Sequence, residues 1–246
     1  MAFSPEAFDQ QLAVLTDPSH GVVEPTTAPH MFAVTRNQPQ LVARPLLVIT
    51  GPSRAGKDSI KEVLLADNPL LASIRTATTR DRRSTEAEDA MTWLRKRRED
   101  ELPDDYYQAL IAEYDLVEHS PHNGEVYGLP RGNLDAVPDT HVPVINTDTA
   151  GIRTLSSALA GRYSLVSVMI CPESAAQLQV RMGALDHQGA LRLDAAQRYI
   201  DEAPSTVNFV LRNCAGDDPN QAVRHSSEQL CSVLGGLGYI GAFAEG

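Results

Sequence analysis

Residues 45–60 read PLLVITGPSRAGKDSI. The apolar run 46–49, closing on Thr50, has the length of a buried strand, and a helical pattern begins at Lys57. Between them lies a loop bounded by Gly51 and Gly56. Strand, glycine loop and helix in this order suit a polyphosphate. The glycines let the backbone turn until successive N–H groups point inward, and the helix start adds the positive end of its dipole. Gly51, Pro52, Ser53, Arg54, Ala55, Gly56, Lys57, Asp58 and Ser59 are therefore the candidate triphosphate site, with Lys57 reaching the β- and γ-phosphates. The usual pattern has Ser or Thr directly after the lysine. Here Asp58 takes that place and Ser59 follows. A carboxylate is a hard oxygen donor, so Asp58 is a candidate Mg2+ ligand, directly or through water.

Outward from this loop, short apolar runs alternate with helical segments: LLVIT, SIKEVLLAD, SIRTATT, VPVINTD, AGIRTLSSALAG, SLVSVMIC, PESAAQLQVRM and NFVLRN. Strands separated by helices predict an α/β fold with a mostly parallel sheet covered on both faces, and a site at the C-terminal ends of the strands. The main domain is expected to span 45–235. Residues 1–44 predict an opening helix, with Ser4 as cap and Pro5 in its first turn, followed by a stretch rich in Pro, Thr and His. This extension is expected to be an appendage packed on the main domain. Residues 95–105, RKRREDELPDD, read as a solvated charged loop. The end, 236–246, reads as a loosely held tail from which Tyr239, Ile240 or Phe243 could dock.

The bulk numbers restrict the function. At 246 residues, 42% hydrophobic and 22% charged, the chain has the composition of a globular protein with a full core. A net charge of −11 disfavours nucleic acid or an anionic membrane surface as partner, so an anionic ligand must meet local positive charge. No stretch approaches the roughly 18 apolar residues of a spanning helix. The start, MAFSPEAFDQ, lacks the basic and apolar regions of a signal peptide, and a cytoplasmic location is expected. Cys171, Cys214 and Cys231 form no CxxC pair and are expected to be buried thiols.

Residues 76–86 read TATTRDRRSTE, and here the chain resembles the guanylate kinase family. The family's TTRxxRxGE segment is met by Thr78, Thr79, Arg80, Arg83 and Glu86, with Thr85 in place of the glycine. The resemblance implies that Arg80 and Arg83 clamp the acceptor phosphate with their planar forks of donors. In 116–128, LVEHSPHNGEVYG, Glu118 precedes Tyr127 by nine residues, the family's interval between its guanine-binding glutamate and a phosphate-binding tyrosine. Guanine offers N1–H and N2–H donors along one edge, which a carboxylate can accept and adenine cannot supply. Hydrogen bonds to a charged group contribute about 1.5–3 kcal/mol each, enough for a useful preference. In 144–151, VINTDTAG, Asp148 and Gly151 fall in register with the family's DxDxxG, with Asn146 in place of the first aspartate. The resemblance assigns Asp148 and Thr76 to the base; a strand-end cap is the alternative for Asp148. Residues 179–202 resemble the helical lid that closes over the triphosphate, with Arg181 and Arg192 in matching places and Leu185 where another arginine is usual. Asn213, closing NFVLRN, takes the place of an asparagine near adenine.

By this resemblance the fold is a P-loop NTPase three-layer sandwich with a parallel central sheet, an acceptor-binding segment at about 76–130 and a lid at about 181–197. The implied activity is transfer of the γ-phosphoryl group of ATP to GMP or dGMP with Mg2+. Two alternatives stay open. A GKDS loop also occurs in a related family that phosphorylates ribose 1,5-bisphosphate and in some phage deoxynucleotide kinases, and Thr92 replaces a second phosphate-binding tyrosine. A non-catalytic phospholigand-binding module is the other, although Lys57 and the loop glycines are intact. His119 and His122 are expected to be exposed loop histidines, and Trp93, Tyr106 and Tyr107 packing residues.

Overall fold

The structure, a computed structural model, describes residues 3–40, 42–122, 124–183, 187–214, 218–236 and 238. The chain opens with α1 (Pro5–Thr16), capped by the Ser4 hydroxyl, which accepts the Ala7 N–H at 3.3 Å. Phe8, Leu12 and Leu15, at helical spacing, turn one face into the core. Two short strands follow, β1 (Val23–Pro25) and β2 (Met31–Val34). Next come β3 (Arg44–Thr50), α2 (Lys57–Asp67) and β4 (Leu71–Ser73). The chain then leaves the main sheet through β5 (Ala77–Thr78), β6 (Thr92–Trp93), α3 (Pro103–Glu113), β7 (Leu116–His122), β8 (Glu125–Pro130) and α4 (Arg131–Asp135). It returns as β9 (Val142–Asn146), α5 (Thr149–Ala158), β10 (Tyr163–Pro172), α6 (Ala175–Met182), α7 (His187–Thr206), β11 (Phe209–Asn213) and α8 (Pro219–Gly236).

The main sheet has the order β1-β2-β11-β10-β3-β9-β4. From β11 to β4 all neighbours are parallel, while β2 is antiparallel to β11 and β1 to β2. In the central strand, Leu46 and Val48 enter one core cluster, Leu47 and Ile49 the other. A strand buried on both faces must be apolar at every position, which is why 46–49 shows no alternation. On the first face α1, α5, α6 and α7 supply Phe8, Leu155, Leu178 and Ile200; on the second, α2 and α8 supply Ile60, Leu64, Leu230 and Val233. The result is the three-layer α/β sandwich expected.

Four expectations change. The N-terminal extension packs on the main domain and does more than an appendage would: β2 pairs with β11 and so covers an otherwise open sheet edge, and α1 lies in the first core cluster. The run SIRTATT divides between β4 of the main sheet and β5 of a second sheet, of order β6-β5-β8-β7. The segment around His119 is not a loop, because β7 (Leu116–His122) and β8 (Glu125–Pro130) pair antiparallel there. In the charged block, Arg95 pairs with Glu101 at 2.8 Å and Glu113 at 3.0 Å, which ties that loop to α3. Cys171 is buried, Cys214 and Cys231 partly so, and all three are free thiols. No described helix is long and apolar enough to cross a membrane. The expectations for Leu185 and for Tyr239, Ile240 and Phe243 lie outside the described residues.

Candidate functional site

Between β3 and α2 the backbone turns through conformations that need glycine. Gly51 has φ of 127°, and a side chain there would overlap the Ile170 carbonyl oxygen of the neighbouring strand β10. Gly56, the N-cap of α2, has φ of 102°, and a Cβ would come to 2.5 Å from Asn213 Nδ2. Arg54 also takes a positive φ, 65°. Pro52 and Ala55 are buried and shape the loop from beneath. Ser53, Arg54, Gly56, Lys57, Asp58 and Ser59 line a cavity of about 920 Å³ together with Arg83, Arg181, Arg192 and Asn213.

Lys57 Nζ donates to the Gly51 carbonyl at 2.7 Å and the Pro52 carbonyl at 2.8 Å, so the ammonium spans the loop. Burial pushes its pKa down to about 8, with the Asp58 carboxylate opposing the shift. Asn213 is 1% exposed. Its Nδ2 donates to the Ala55 carbonyl at 2.9 Å and its Oδ1 accepts the Ser226 hydroxyl at 3.2 Å. Both polar ends are thus engaged within the protein, and Asn213 braces the phosphate loop against α8 while lining the cavity.

Across the cavity, the segment between β5 and β6 carries Arg80 and Arg83, of which Arg83 lines the cavity. Arg80 donates twice to Glu86, at 2.8 and 2.5 Å, and its guanidinium carbon lies 5.5 Å from the centre of the Trp93 ring. The Arg83 backbone N–H donates to Glu86 Oε2 at 3.0 Å, while its side chain, 71% exposed, extends into the cavity. The Arg80 hydrogen bonds, with the Arg83 N–H, hold the Glu86 carboxyl down at about 2. Glu86 in turn raises the pKa of Arg80, with a further contribution from Tyr127, which β5–β8 pairing sets opposite Thr78. Thr76 lies just before β5, its carbonyl accepting the Thr92 N–H at 2.8 Å. The Thr92 hydroxyl oxygen accepts from Asn133 Nδ2 at 2.8 Å.

Glu118, on β7, is 4% exposed and faces the N-terminal end of α5. Its Oε1 accepts the Thr147 hydroxyl at 3.3 Å. Gly151 keeps this approach open, since a Cβ there would overlap Thr147 Oγ1 and come within 2.9 Å of Glu118 Oε1. Burial first, and the like charge of Asp148 second, push the Glu118 carboxyl up to about 7. Asp148 is the N-cap of α5, its Oδ1 accepting the Gly151 N–H at 2.7 Å, so the capping role is observed directly.

At the far side of the loop, Asn146 Nδ2 donates to Asp58 Oδ1 at 2.7 Å, and Asn146 Oδ1 is buried without a hydrogen-bond partner. Arg181 reaches the Arg54 carbonyl at 3.4 Å and the Ala55 carbonyl at 3.5 Å, and burial lowers its pKa with Glu173 opposing. Arg192 is exposed on the cavity wall. His119 is not an exposed loop histidine: it sits on β7 with its Nδ1 2.6 Å from the Tyr107 hydroxyl. Tyr106 and Tyr107 pack in the small domain's own cluster. Among the described residues no group of three His, Cys, Asp or Glu side chains could hold a metal.

Two positioning residues escaped the sequence reading. Glu86 carried a signal, because it completes the segment that holds both arginines, yet it was given no task. Trp93 was expected only to pack, and that its ring packs on Arg80 is invisible before the sheet forms.

Geometry of this kind defines a class: a P-loop α/β protein whose glycine loop shares one cavity with Arg83, carried between two strands of a separate small sheet. Within that class the chain belongs to the guanylate kinase family, whose profile matches residues 43–213. It is 34% identical to a guanylate kinase of Granulibacter bethesdensis over 212 residues, 78% of this chain and 92% of that protein. To a guanylate kinase of Symbiobacterium thermophilum it is 31% identical, covering 72% of this chain and 80% of that one. A 34% match to the Rhizobium meliloti guanylate kinase spans 138 residues, 59% of that protein's length. The crystal structure of guanylate kinase from Anaplasma phagocytophilum shares the fold, with a TM-score of 0.55 at 18% identity, over 78% of this chain and 85% of that one.

Proposed function

We propose that the protein transfers the γ-phosphoryl group of ATP to GMP or dGMP. The observation that carries this reading is that Arg83 of the small sheet and Lys57 of the phosphate loop line one cavity, while the small sheet also holds the buried carboxylate Glu118. An acceptor seated on that sheet has its phosphate turned toward the donor. Glu118 accepts the N1–H and N2–H donors of guanine, with Thr76 and Asp148 at the base. Arg80, Arg83 and Tyr127 hold the acceptor phosphate, whose oxygen attacks the γ-phosphorus as its bond to the β,γ-bridging oxygen breaks. The loop amides, Lys57, Arg181 and Arg192 spread the charge of that transition state. Closing the lid excludes water, which otherwise diverts the reaction to hydrolysis.

The oxygen donors beside the loop suit Mg2+: the Asp58 carboxylate, the Ser59 hydroxyl and the buried, unpartnered Oδ1 of Asn146. When bound there, the ion neutralises charge on the β- and γ-phosphate oxygens. Asp58 is the residue that would hold it, steadied by the Asn146 amide. Asp58→Asn is expected to raise the Mg2+ concentration needed for half-maximal activity about tenfold, read by metal titration at saturating nucleotide. An unchanged requirement removes Asp58 from the metal site.

The function itself is tested by ADP release with GMP, dGMP, AMP, CMP, UMP and ribose 1,5-bisphosphate as acceptors. Turnover confined to the guanine nucleotides is expected. Turnover with the phosphosugar alone would reject this reading, and none with any acceptor would indicate a binding module.

A further inference from the structure

The family match begins at residue 43, so α1 lies outside it, yet α1 packs on both helices of the lid. Two hydrogen bonds tie it there. Asp9 Oδ1 accepts the Ala175 N–H, at the first turn of α6, at 2.7 Å. The Phe3 N–H donates to Asp194 Oδ1, in α7, at 2.8 Å. Between these ends, Phe8, Leu12 and Leu15 share one buried cluster with Leu178 of α6 and Leu193 of α7.

The consequence lies in where the arginines sit. Residues two apart on a helix point about 200° from each other around its axis. Asp194, bound to the N-terminal segment, therefore leaves Arg192 turned the opposite way, toward the cavity that it lines. At eight residues α6 is too short to be stable alone, since a helix of that length does not repay its own nucleation. Its N-terminus is held by the Ser174 cap and by Asp9, and it carries Arg181 in its last turn.

We propose that α1 is a brace on the base of the lid, with Asp9 and Asp194 as positioning residues that set Arg181 and Arg192 at the mouth of the phosphate cavity. The inference rests on the reading that these arginines meet the triphosphate. The brace acts on the donor side only, because α1 has no hydrogen bond to the small sheet among those described.

The test uses the full chain with Asp9→Ala, Asp9→Asn and Asp194→Ala. Hydrogen exchange of the backbone amides of α6 and of the first turns of α7 is followed without nucleotide, and KM is measured separately for ATP and GMP. Asp9→Ala is expected to speed exchange in α6 about three- to tenfold, the loss of one hydrogen bond, and to raise KM for ATP by a similar factor while KM for GMP stays within about twofold. Asp9→Asn keeps an acceptor oxygen and is expected to restore both. Unchanged exchange in α6, or equal rises in the two KM values, overturns the proposal. Should Asp9→Ala not fold, Asp194→Ala gives the same readings at α7. Exchange needs no substrate, so a wild-type protein that fails to use GMP would reject the proposed function while leaving this test intact.

Discussion

Glu118 concentrates the chemistry of the acceptor side in one carboxyl group that is costly to keep ionised. Its pKa of about 7 in the folded chain stands above the ordinary 4.5 because burial and then Asp148 disfavour the charge. Below pH 4.5 both folded and unfolded chains hold the proton, and the group is neutral for stability. As pH rises to 7 the unfolded chain releases it first, so folding is increasingly disfavoured, by on the order of 3 kcal/mol once pH exceeds 7. Glu118→Gln is therefore expected to stabilise the protein at pH 8 and hardly at pH 4, as read from urea unfolding at the two values. The same variant is expected to lower kcat/KM for GMP about 100-fold, because two hydrogen bonds to a charged acceptor are weakened. A stability gain equal at both pH values would mean that the charge of Glu118 is not what burial penalises. The choice of residue was readable from its interval to Tyr127. Its partner was not, since Thr147 lies 29 positions away and meets it only when α5 packs on β7.

At the scale of elements, the small sheet turns the segment between β5 and β6 into a rigid holder for two arginines. One carboxylate, Glu86, receives two of the guanidinium hydrogen bonds of Arg80 and the backbone N–H of Arg83, and the Trp93 ring backs Arg80 from the neighbouring strand. Removing Glu86 leaves the guanidinium of Arg80 without its fork and the loop without its internal acceptor. Glu86→Ala is accordingly expected to raise KM for GMP about tenfold while KM for ATP changes less than twofold, measured by steady-state kinetics with each substrate varied in turn. A rise in both would show that the two sides of the cavity are not independent. The turns of the phosphate loop were legible because Gly51 and Gly56 answer to local backbone geometry. For the hairpin of β7 and β8 the one local signal is the Asn-Gly pair at 123–124, which is outweighed because the flanking HSPH is polar, contains a proline and lacks the alternation that marks a half-buried strand.

Over the whole molecule, the N-terminal residues complete the fold on two counts, by covering the β11 edge and by supplying α1 to the core beneath the lid. Phe8 is fully buried there, stacked at a tilt against Phe3 with ring centres 5.4 Å apart. Phe8→Ala is expected to cost about 3–5 kcal/mol, seen as a lower urea midpoint for the entire chain in one transition. A separate early transition would mean that α1 folds apart from the sandwich. The alternation of main-sheet strands and helices from β3 to β11, the phosphate loop and the two arginine positions could be read along the chain, because period, glycine placement and short spacings are local properties, whereas the small sheet inserted between β4 and β9 could not. Asn213 turned toward Ala55 and Ser226, Asp58 steadied by Asn146, and α1 laid across the lid could not. Each joins groups far apart in sequence, and which distant partner a side chain meets is settled by the packing of layers against one another, a condition that no single stretch of residues expresses.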